Sequence, residues 1–390
     1  MQTLANFNFQ GKRVLVRCDF NVAINNNIVT DDFRLKRSLE TIWFLKRAGA
    51  KIILLSHLGR SEEQKQTVLG ASNLSLKPVQ KKLAELLREP VLFSKAVTGF
   101  WLQRKIRRLQ PGQVLLLENL RLNKGEEGND LDFAKELAKL GDIYVNEAFS
   151  VCHRQHASVA LLPSFLPSAA GLELSRELDF LGKIRDNPER PFSVIIGGAK
   201  LESKIRFLSR FMQSADHLLV GGDIADVILS VKGITVGRLW PQADIVEKIQ
   251  SLDLTNPKMH LPVDAVMASQ RQGGYKREGA LGTLRQDEEI LDIGQDTIKK
   301  FGEIIKQSRT IFWSGPLGLI ENKNFERGTV EIAKLVTQNE GALKVLGGGD
   351  TVDILNNYNL NEKFSFVSIG GGAMLAFLAG EIMPGLEALK

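Results

Sequence analysis

The sequence predicts an α/β protein built from two doubly wound, Rossmann-like parallel-sheet domains that are joined by a helix and have a cleft between them. Three observations lead there. The chain has 390 residues, more than one hydrophobic core usually organises. Short β-branched runs alternate with amphipathic stretches along its length, the pattern of parallel strands with helices on both faces. The residues that follow those runs also differ between halves, cationic in the first and glycine-rich in the second.

Strands are predicted at RVLVRC, KIILLS, QVLLLE and DIYVNE in the first half, and at FSVIIG, HLLVGG, TIFWSG, LKVLGG and FSFVSIGGG in the second. Between them, stretches such as DFRLKRSLETIWFLKRAG place apolar side chains at helical spacing and end on a glycine. A long helical pattern from Ala170 to Ile184 runs into the proline-containing DNPERP, after which strands restart. The expected division is a first domain over 1–170, a connecting hinge helix over 171–186 and a second domain over 187–375. No period of about 20 to 50 residues recurs, which excludes solenoids and propellers.

Composition narrows the class. With 43% hydrophobic and 25% charged residues and no low-complexity tract, the chain reads as globular. Its opening residues lack a charged region followed by an apolar one, and no run of some eighteen apolar residues occurs, so a cytoplasmic location without a membrane partner is expected. Cys18 and Cys152, in a predicted strand and a predicted loop, are the only cysteines; they exclude a disulfide framework and a four-cysteine zinc site. The formal charge of +6 permits an anionic partner. The basic run Gln103 to Arg108 lies on a predicted helix, where a solvated face is expected rather than a nucleic-acid footprint.

Open parallel sheets bind ligands beyond the carboxyl ends of their strands. In the first half those ends carry Asp19 and Asn21, His57 and Arg60, Arg121, and then His153 and Arg154. An isolated arginine there is an ordinary salt-bridge partner. Several guanidiniums converging on one concavity repel each other unless an anion sits between them, so the first domain is expected to hold a small, multiply anionic molecule. His153, His156 and Cys152 do not complete a metal site, because no further Cys, His or acidic cluster joins them. Cys152 likewise lacks the oriented base a nucleophile needs, and is expected to be a loop thiol without special role.

The second-half strands end at Gly197 and Gly198, Gly221 and Gly222, Gly347 to Gly349, and Gly370 to Gly372, each followed by a helix. Without Cβ, such turns let backbone N–H groups approach a phosphate at a helix N-terminus. One Gly pair alone is a tight turn; four favour a nucleotide. No Walker loop and no complete G-x-G-x-x-G occurs, which weakens P-loop and dinucleotide-dehydrogenase readings. Lys200 and Lys204 stand one turn apart at a helix start, where cations are unfavourable unless a phosphate lies between. Asp350 beside three glycines suits either Mg²⁺ or a helix cap.

In chain order, RCDFNV, DDFRLKRSL, SHLGR, ENLR, CHRQHAS, GGAKLESK, WSGPLGLIE, GGGDT and SIGGGA resemble the signature series of the phosphoglycerate kinase family. LPVD (Leu261 to Asp264) and MPGLEAL fit as well, so the match covers nearly the whole chain. The resemblance implies transfer of the acyl phosphate of 1,3-bisphosphoglycerate to ADP with Mg²⁺, giving 3-phosphoglycerate and ATP, reversibly and without a covalent enzyme intermediate. It implies a monomer that binds no nucleic acid, and a C-terminal tail, 376–390, packed on the first domain.

By the same resemblance, Asp19, Asn21, Arg34, His57, Arg60, Arg121 and Arg154 bind the glycerate substrate. Phe20, Leu58 and Gly59 line that site, and Arg17 and His153 complete its basic patch. The nucleotide falls to Gly198, Ala199, Lys200, Lys204 and Gly222, with Gly315 and Glu321. The turn Gly348, Gly349, Asp350 and Thr351 joins them, Asp350 towards Mg²⁺, as do Gly371 and Gly372. Arg34 and Lys200 are implied as the catalytic cations. Some positions depart from the family pattern: Glu147 and Ser150 stand where Asp and Gly are common, and Val151 and Cys152 replace smaller or polar neighbours. Gln295, Ile369, Ala376 and the GGDIADVIL segment differ as well.

Overall fold

The computed structural model describes residues 1–59, 74–198, 201–237, 242–271 and 275–390. It divides into two compact units, Met1–Asp179 together with Ile382–Lys390, and Phe180–Glu381. The division falls inside the helix Leu172–Asp186, and residues 376–381 group with the second unit.

The first unit is a sheet of six strands: β1 (Arg13–Arg17), β2 (Lys51–Leu55), β3 (Val91–Ser94), β4 (Val114–Leu117), β5 (Ile143–Asn146) and β6 (Ser168–Ala170). Their order is β3-β4-β2-β1-β5-β6, with every neighbouring pair parallel. The central strands read as unbroken apolar runs because helices cover both faces and each side chain meets a core; β4 and β5 are buried at every position. From β1 the chain steps to β2 on one side and only later to β5 on the other. A crevice therefore opens beyond the carboxyl ends of β1 and β5, the switch point at which such sheets bind ligands.

The second unit repeats the plan with β7 (Phe192–Ile196), β8 (His217–Val220), β9 (Met259–His260), β13 (Thr310–Ser314), β14 (Leu343–Gly347) and β15 (Phe366–Ser368), ordered β9-β8-β7-β13-β14-β15. Its switch point lies between β7 and β13, which pair from Thr310↔Phe192 to Ser314↔Ile196. A separate antiparallel sheet of β10 (Asp264–Ala268), β11 (Lys276–Ala280) and β12 (Glu289–Ile293) runs in the order β11-β10-β12.

All nine predicted strands form. Those not predicted are the short β3, β6 and β9, the antiparallel sheet and a short hairpin of Ile24–Asn25 with Ile28–Val29. β11 shows why: its sequence KREGA alternates exposed and half-buried positions and carries no apolar run, so the continuous-run criterion passes over it. Cys152 lies in the loop after β5 and is fully buried. The cause is the C-terminal segment, where Gly385 N–H donates to the Cys152 carbonyl at 2.9 Å.

A Cβ on Gly385 would stand 2.6 Å from Val159 Cγ1 and 2.9 Å from the Cys152 backbone. Replacing Gly385 by Ala is therefore expected to cost about 1–3 kcal/mol through overpacking, read as a lower thermal midpoint for the first unit. An unchanged midpoint would show that the tail contributes nothing to that unit's stability.

Candidate active site

The first-unit site grows out of the loops that follow β1, β2, β4 and β5. Arg17, the last residue of β1, is completely buried. Its Nε donates to Ser158 Oγ at 2.8 Å, Nη1 to the Cys18 carbonyl at 2.7 Å, and Nη2 lies 3.2 Å from His57 Nδ1. Glu126, also fully buried, stands 3.7 Å from Arg17 and accepts the Ser158 hydroxyl at 2.6 Å. This buried chain fixes the guanidinium in place, since breaking it would leave a charge without a partner in low dielectric.

Beyond Arg17 the chain turns through Asp19, Phe20 and Asn21. Phe20 is buried and its N–H donates to Ser56 Oγ at 2.9 Å. Asn21 Oδ1 accepts the Gly59 N–H at 2.9 Å, which ties the β1 loop to the β2 loop. Asp19 takes the Ser150 hydroxyl at 2.6 Å and pairs with Arg34, in the first turn of the helix Phe33–Arg47. Arg34 keeps its side chain about one third exposed.

Asn119 organises the rest and was not singled out from the sequence, although it sits inside the quoted ENLR. It is fully buried, accepts from Leu58 N–H at 3.2 Å and from Arg121 N–H at 3.1 Å, and donates to the Leu58 carbonyl at 3.0 Å. His57, Leu58, Gly59 and Arg121 are thus held as one block, and Arg121 donates in turn to the Gly59 carbonyl. Arg121 Nε approaches Glu127 at 3.2 Å without hydrogen-bond alignment. Arg154 shows no ion pair to a described residue, yet its charge is felt by Arg121, His57 and His156.

The electrostatics follow from this crowding. Burial first, and then Arg17, Arg121 and Arg154, hold the His57 imidazole well below its ordinary value. Burial and Arg154 lower His153 to about 4; burial, Arg121 and Arg17 lower His156 to about 3. Arg121 itself drops to about 10, by burial and then Arg154 and Arg17. Three buried nitrogens of the group, Arg121 Nε, His153 Nδ1 and His156 Nδ1, have no hydrogen-bond partner among the described residues. An electropositive recess with incompletely partnered nitrogens suits an anion.

The second-unit strand ends meet at their own switch point. Gly197 N–H donates to the Ser314 carbonyl at 3.0 Å, and Gly222 N–H to the Leu317 carbonyl at 3.1 Å. A Cβ on Gly197 would fall 2.0 Å from the Pro316 carbonyl oxygen, and one on Gly222 2.7 Å from Gly198 N. Gly198, Gly222 and Gly315 also hold positive φ, +74°, +59° and +97°. These glycines let backbones of different strand ends touch. Gly349 and Gly371, by contrast, have open space where a side chain would stand.

Thr351 is buried and its hydroxyl accepts the Gly315 N–H at 3.0 Å, joining the β13 end to the helix Gly349–Asn357. Gly348, at φ +96°, is that helix's N-cap, so Asp350 is an acid of its first turn and not the cap residue. Lys204 is buried with its ammonium on the Gly197 carbonyl. Gly372 opens the helix Gly372–Leu378. Arg60, Ala199 and Lys200 lie outside the described residues.

A cavity opens here, and Gly198, Gly222, Glu321 and Asp350 line it among the expected residues. Gly315, Lys204, Gly348, Gly349, Thr351, Gly371 and Gly372 are not in its wall. Its remaining surface includes apolar Leu229 and Leu281 beside Asp223, Asp226 and Asp292. Asp292 is buried, accepts Gly328 N–H at 2.7 Å, and is pushed up to about 7 by burial. These acids were not anticipated: Asp223 and Asp226 follow the Gly221–Gly222 turn within GGDIADVIL, which was noted only as a departure from the family pattern, and Asp292 lies in a strand that the sequence did not predict.

Comparison with known proteins agrees with this architecture. A family model described as phosphoglycerate kinase matches residues 4–381. A protein named phosphoglycerate kinase from Borrelia hermsii (strain HS1 / DAH) is 40% identical over 100% of this chain and 99% of its own length. One of the same name from Bartonella quintana (strain Toulouse) is 40% identical, again over 100% and 99%. The solved structure of phosphoglycerate kinase from Coxiella burnetii superposes with a TM-score of 0.85 at 34% identity, covering 99% of this chain and 98% of that one. The crystal structure of the enzyme from Pyrococcus horikoshii OT3 gives 0.87 at 30% identity, over 100% and 98%.

The lowered histidines carry a sign that can be measured. Each is neutral in the folded chain, so its contribution to stability is present above 6.5 and is lost as pH falls towards the folded value. Glu147, raised to about 8 chiefly by burial, acts oppositely: its contribution is present below 4.5 and lost as pH rises towards 8. The two oppose each other in a melting curve, so ring resonances are the cleaner readout. The His153 and His156 rings are expected to remain neutral down to about pH 5, and to titrate higher once sulfate is added. Midpoints near 6.5 without sulfate would contradict the crowded-cation description.

Proposed function

The chain belongs to the phosphoglycerate kinase family and catalyses reversible phosphoryl transfer between 1,3-bisphosphoglycerate and ADP, giving 3-phosphoglycerate and ATP; on that premise we propose which residues do the work. The first unit takes the glycerate ligand and the second the nucleotide. The observation that carries this is the recess around Arg17, Arg121 and Arg154, with its three unused buried nitrogens.

Arg121, Arg154, Arg34 and, from the family resemblance, Arg60 grip the carboxylate and phosphate groups of the substrate. Arg17 and His153 add to the field, and neutral His57 offers a hydrogen bond without a further charge. Asn21 and Asp19 orient this set, Asp19 by holding Arg34 and Ser150. In the second unit the cavity takes the nucleotide. Glu321 faces its sugar end, and Gly198, Gly222, the Gly348 to Thr351 turn and the Gly371–Gly372 helix start bring N–H groups towards its phosphates.

In the reaction, a β-phosphate oxygen of ADP attacks the phosphorus of the acyl phosphate in line, and the bond from phosphorus to the carboxyl oxygen breaks. The leaving group is a carboxylate, so no proton has to be delivered to it. What the protein must supply is position and positive charge around the three equatorial oxygens of a metaphosphate-like group. Arg34 serves from the first unit. Lys200 serves from the second, a role drawn from the resemblance alone. By the family resemblance, hinge bending in the helix Leu172–Asp186 precedes transfer and excludes water that would hydrolyse the acyl phosphate.

Mg²⁺ fits the chemistry of Asp350, an exposed carboxylate in the cavity wall. Such an ion needs only one or two protein carboxylates when nucleotide phosphates and water complete its shell, and no larger acidic or histidine cluster occurs among the described residues. When bound it would neutralise β-phosphate charge. Both ligand sets belong to one chain, which supports action as a monomer. Substrates too charged to cross membranes support a cytoplasmic location.

Purified protein mixed with 1,3-bisphosphoglycerate, ADP and Mg²⁺ should form ATP. Arg34→Ala is expected to lower kcat by about two orders of magnitude or more, with far less effect on ADP binding. Asp350→Asn should raise the Mg²⁺ concentration needed for half-maximal rate. Full turnover in Arg34→Ala would remove that residue from the transition state.

A further inference from the structure

The helix Phe100–Arg107 carries an arrangement that phosphoryl transfer does not use. Trp101 is 77% exposed and Phe100 63%, among the most exposed large apolar side chains described. They are not scattered singly, as harmless surface apolar residues are. Their rings pack edge to face at 5.5 Å, and the Arg104 guanidinium sits 5.7 Å from both centroids. Trp101 also forms one wall of a groove shared with Leu92 and Leu109. Arg104, Lys105 and Arg108 supply the rest, apart from the neutral Gln113, and no acid among the described residues lines the groove.

We propose that this groove docks an acidic segment of a partner protein, with one apolar side chain of that segment seated between Trp101 and Leu92. Four features select this occupant. Cations without a described lining acid call for negative charge, and tryptophan and arginine are residue types enriched at the hot spots of protein interfaces. The surface is concave, which suits a side chain and does not suit a flat bilayer. The two rings meet at 71° with Arg104 against both, so they present no parallel platform for stacked nucleotide bases.

The neighbouring sheet edge sets the binding mode. β3 is the outermost strand of the first sheet, and an open edge invites strand addition. Here Lys105 Nζ donates to the Phe93 carbonyl at 2.7 Å. That contact occupies an acceptor a docking strand would need, so the partner binds through side chains in the groove rather than by extending the sheet.

The test uses the whole protein and a short fluorescein-labelled peptide in which Glu and Asp alternate with Leu and Phe. Saturable anisotropy is expected, weakening with added salt. Trp101→Ala and Arg104→Glu should each reduce affinity by about tenfold or more, while ATP formation stays at the wild-type rate and so reports an intact fold. The proposal is overturned if the peptide does not saturate, or if both variants bind it as the parent does. It is equally overturned if an oligothymidylate or phosphatidylserine vesicles bind this face more tightly than the peptide.

Discussion

Like charges held together out of water set the terms for the first unit. Arg17 is fully buried, Arg121 nearly so, and the field of both reaches His57 and His156. Such a group would drive itself apart unless the scaffold held it. The parallel sheet does so by ending β1, β2, β4 and β5 around one switch point, and by placing Glu126, Asp19 and Asn119 as buried counter-groups. The repulsion left after those partners are counted is what an incoming carboxylate and phosphate relieve. Binding strength and reaction therefore draw on the same source, since cations already desolvated need no reorganisation when charge moves in the transferring group.

The second unit solves a different problem. A polyphosphate needs close backbone approach, and the glycines at the ends of β7, β8 and β13 let three strand ends touch where any Cβ would collide. Their first duty is to that packing. Lys204 and Thr351 bind the same junction, through the Gly197 carbonyl and the Gly315 N–H. The more open turns, at Gly349 and Gly371, are the ones with space for a ligand oxygen. Glycine at a strand end thus has two separate physical uses here, which a one-letter pattern renders identically.

That difference explains what could be read beforehand. Eight of the nine predicted strands are central, and they were legible because burial on both faces writes an uninterrupted apolar run. β11 was not, because KREGA faces water on one side and a half-covered surface on the other. The cations at strand ends were legible because residue type and position coincide. Asn119, Glu126 and Ser158 were missed, for their roles rest chiefly on contacts 32 to 141 residues away in sequence, which no local pattern encodes. The burial of Cys152 was not legible for the same reason: its surroundings are completed by Gly385. The departure at Ser150 turned out to have a partner, the Asp19 carboxylate, and Glu147 accepts the Glu173 N–H at the start of the helix Leu172–Asp186.

A crystal structure with 3-phosphoglycerate bound tests the central claim most directly. The ligand's carboxylate and phosphate should lie against Arg121, Arg154 and His57, with Arg121 Nε and His153 Nδ1 no longer unpartnered. Ligand density elsewhere, with those nitrogens still bare and the arginines meeting only Glu126, Glu127 and Asp19, would contradict it.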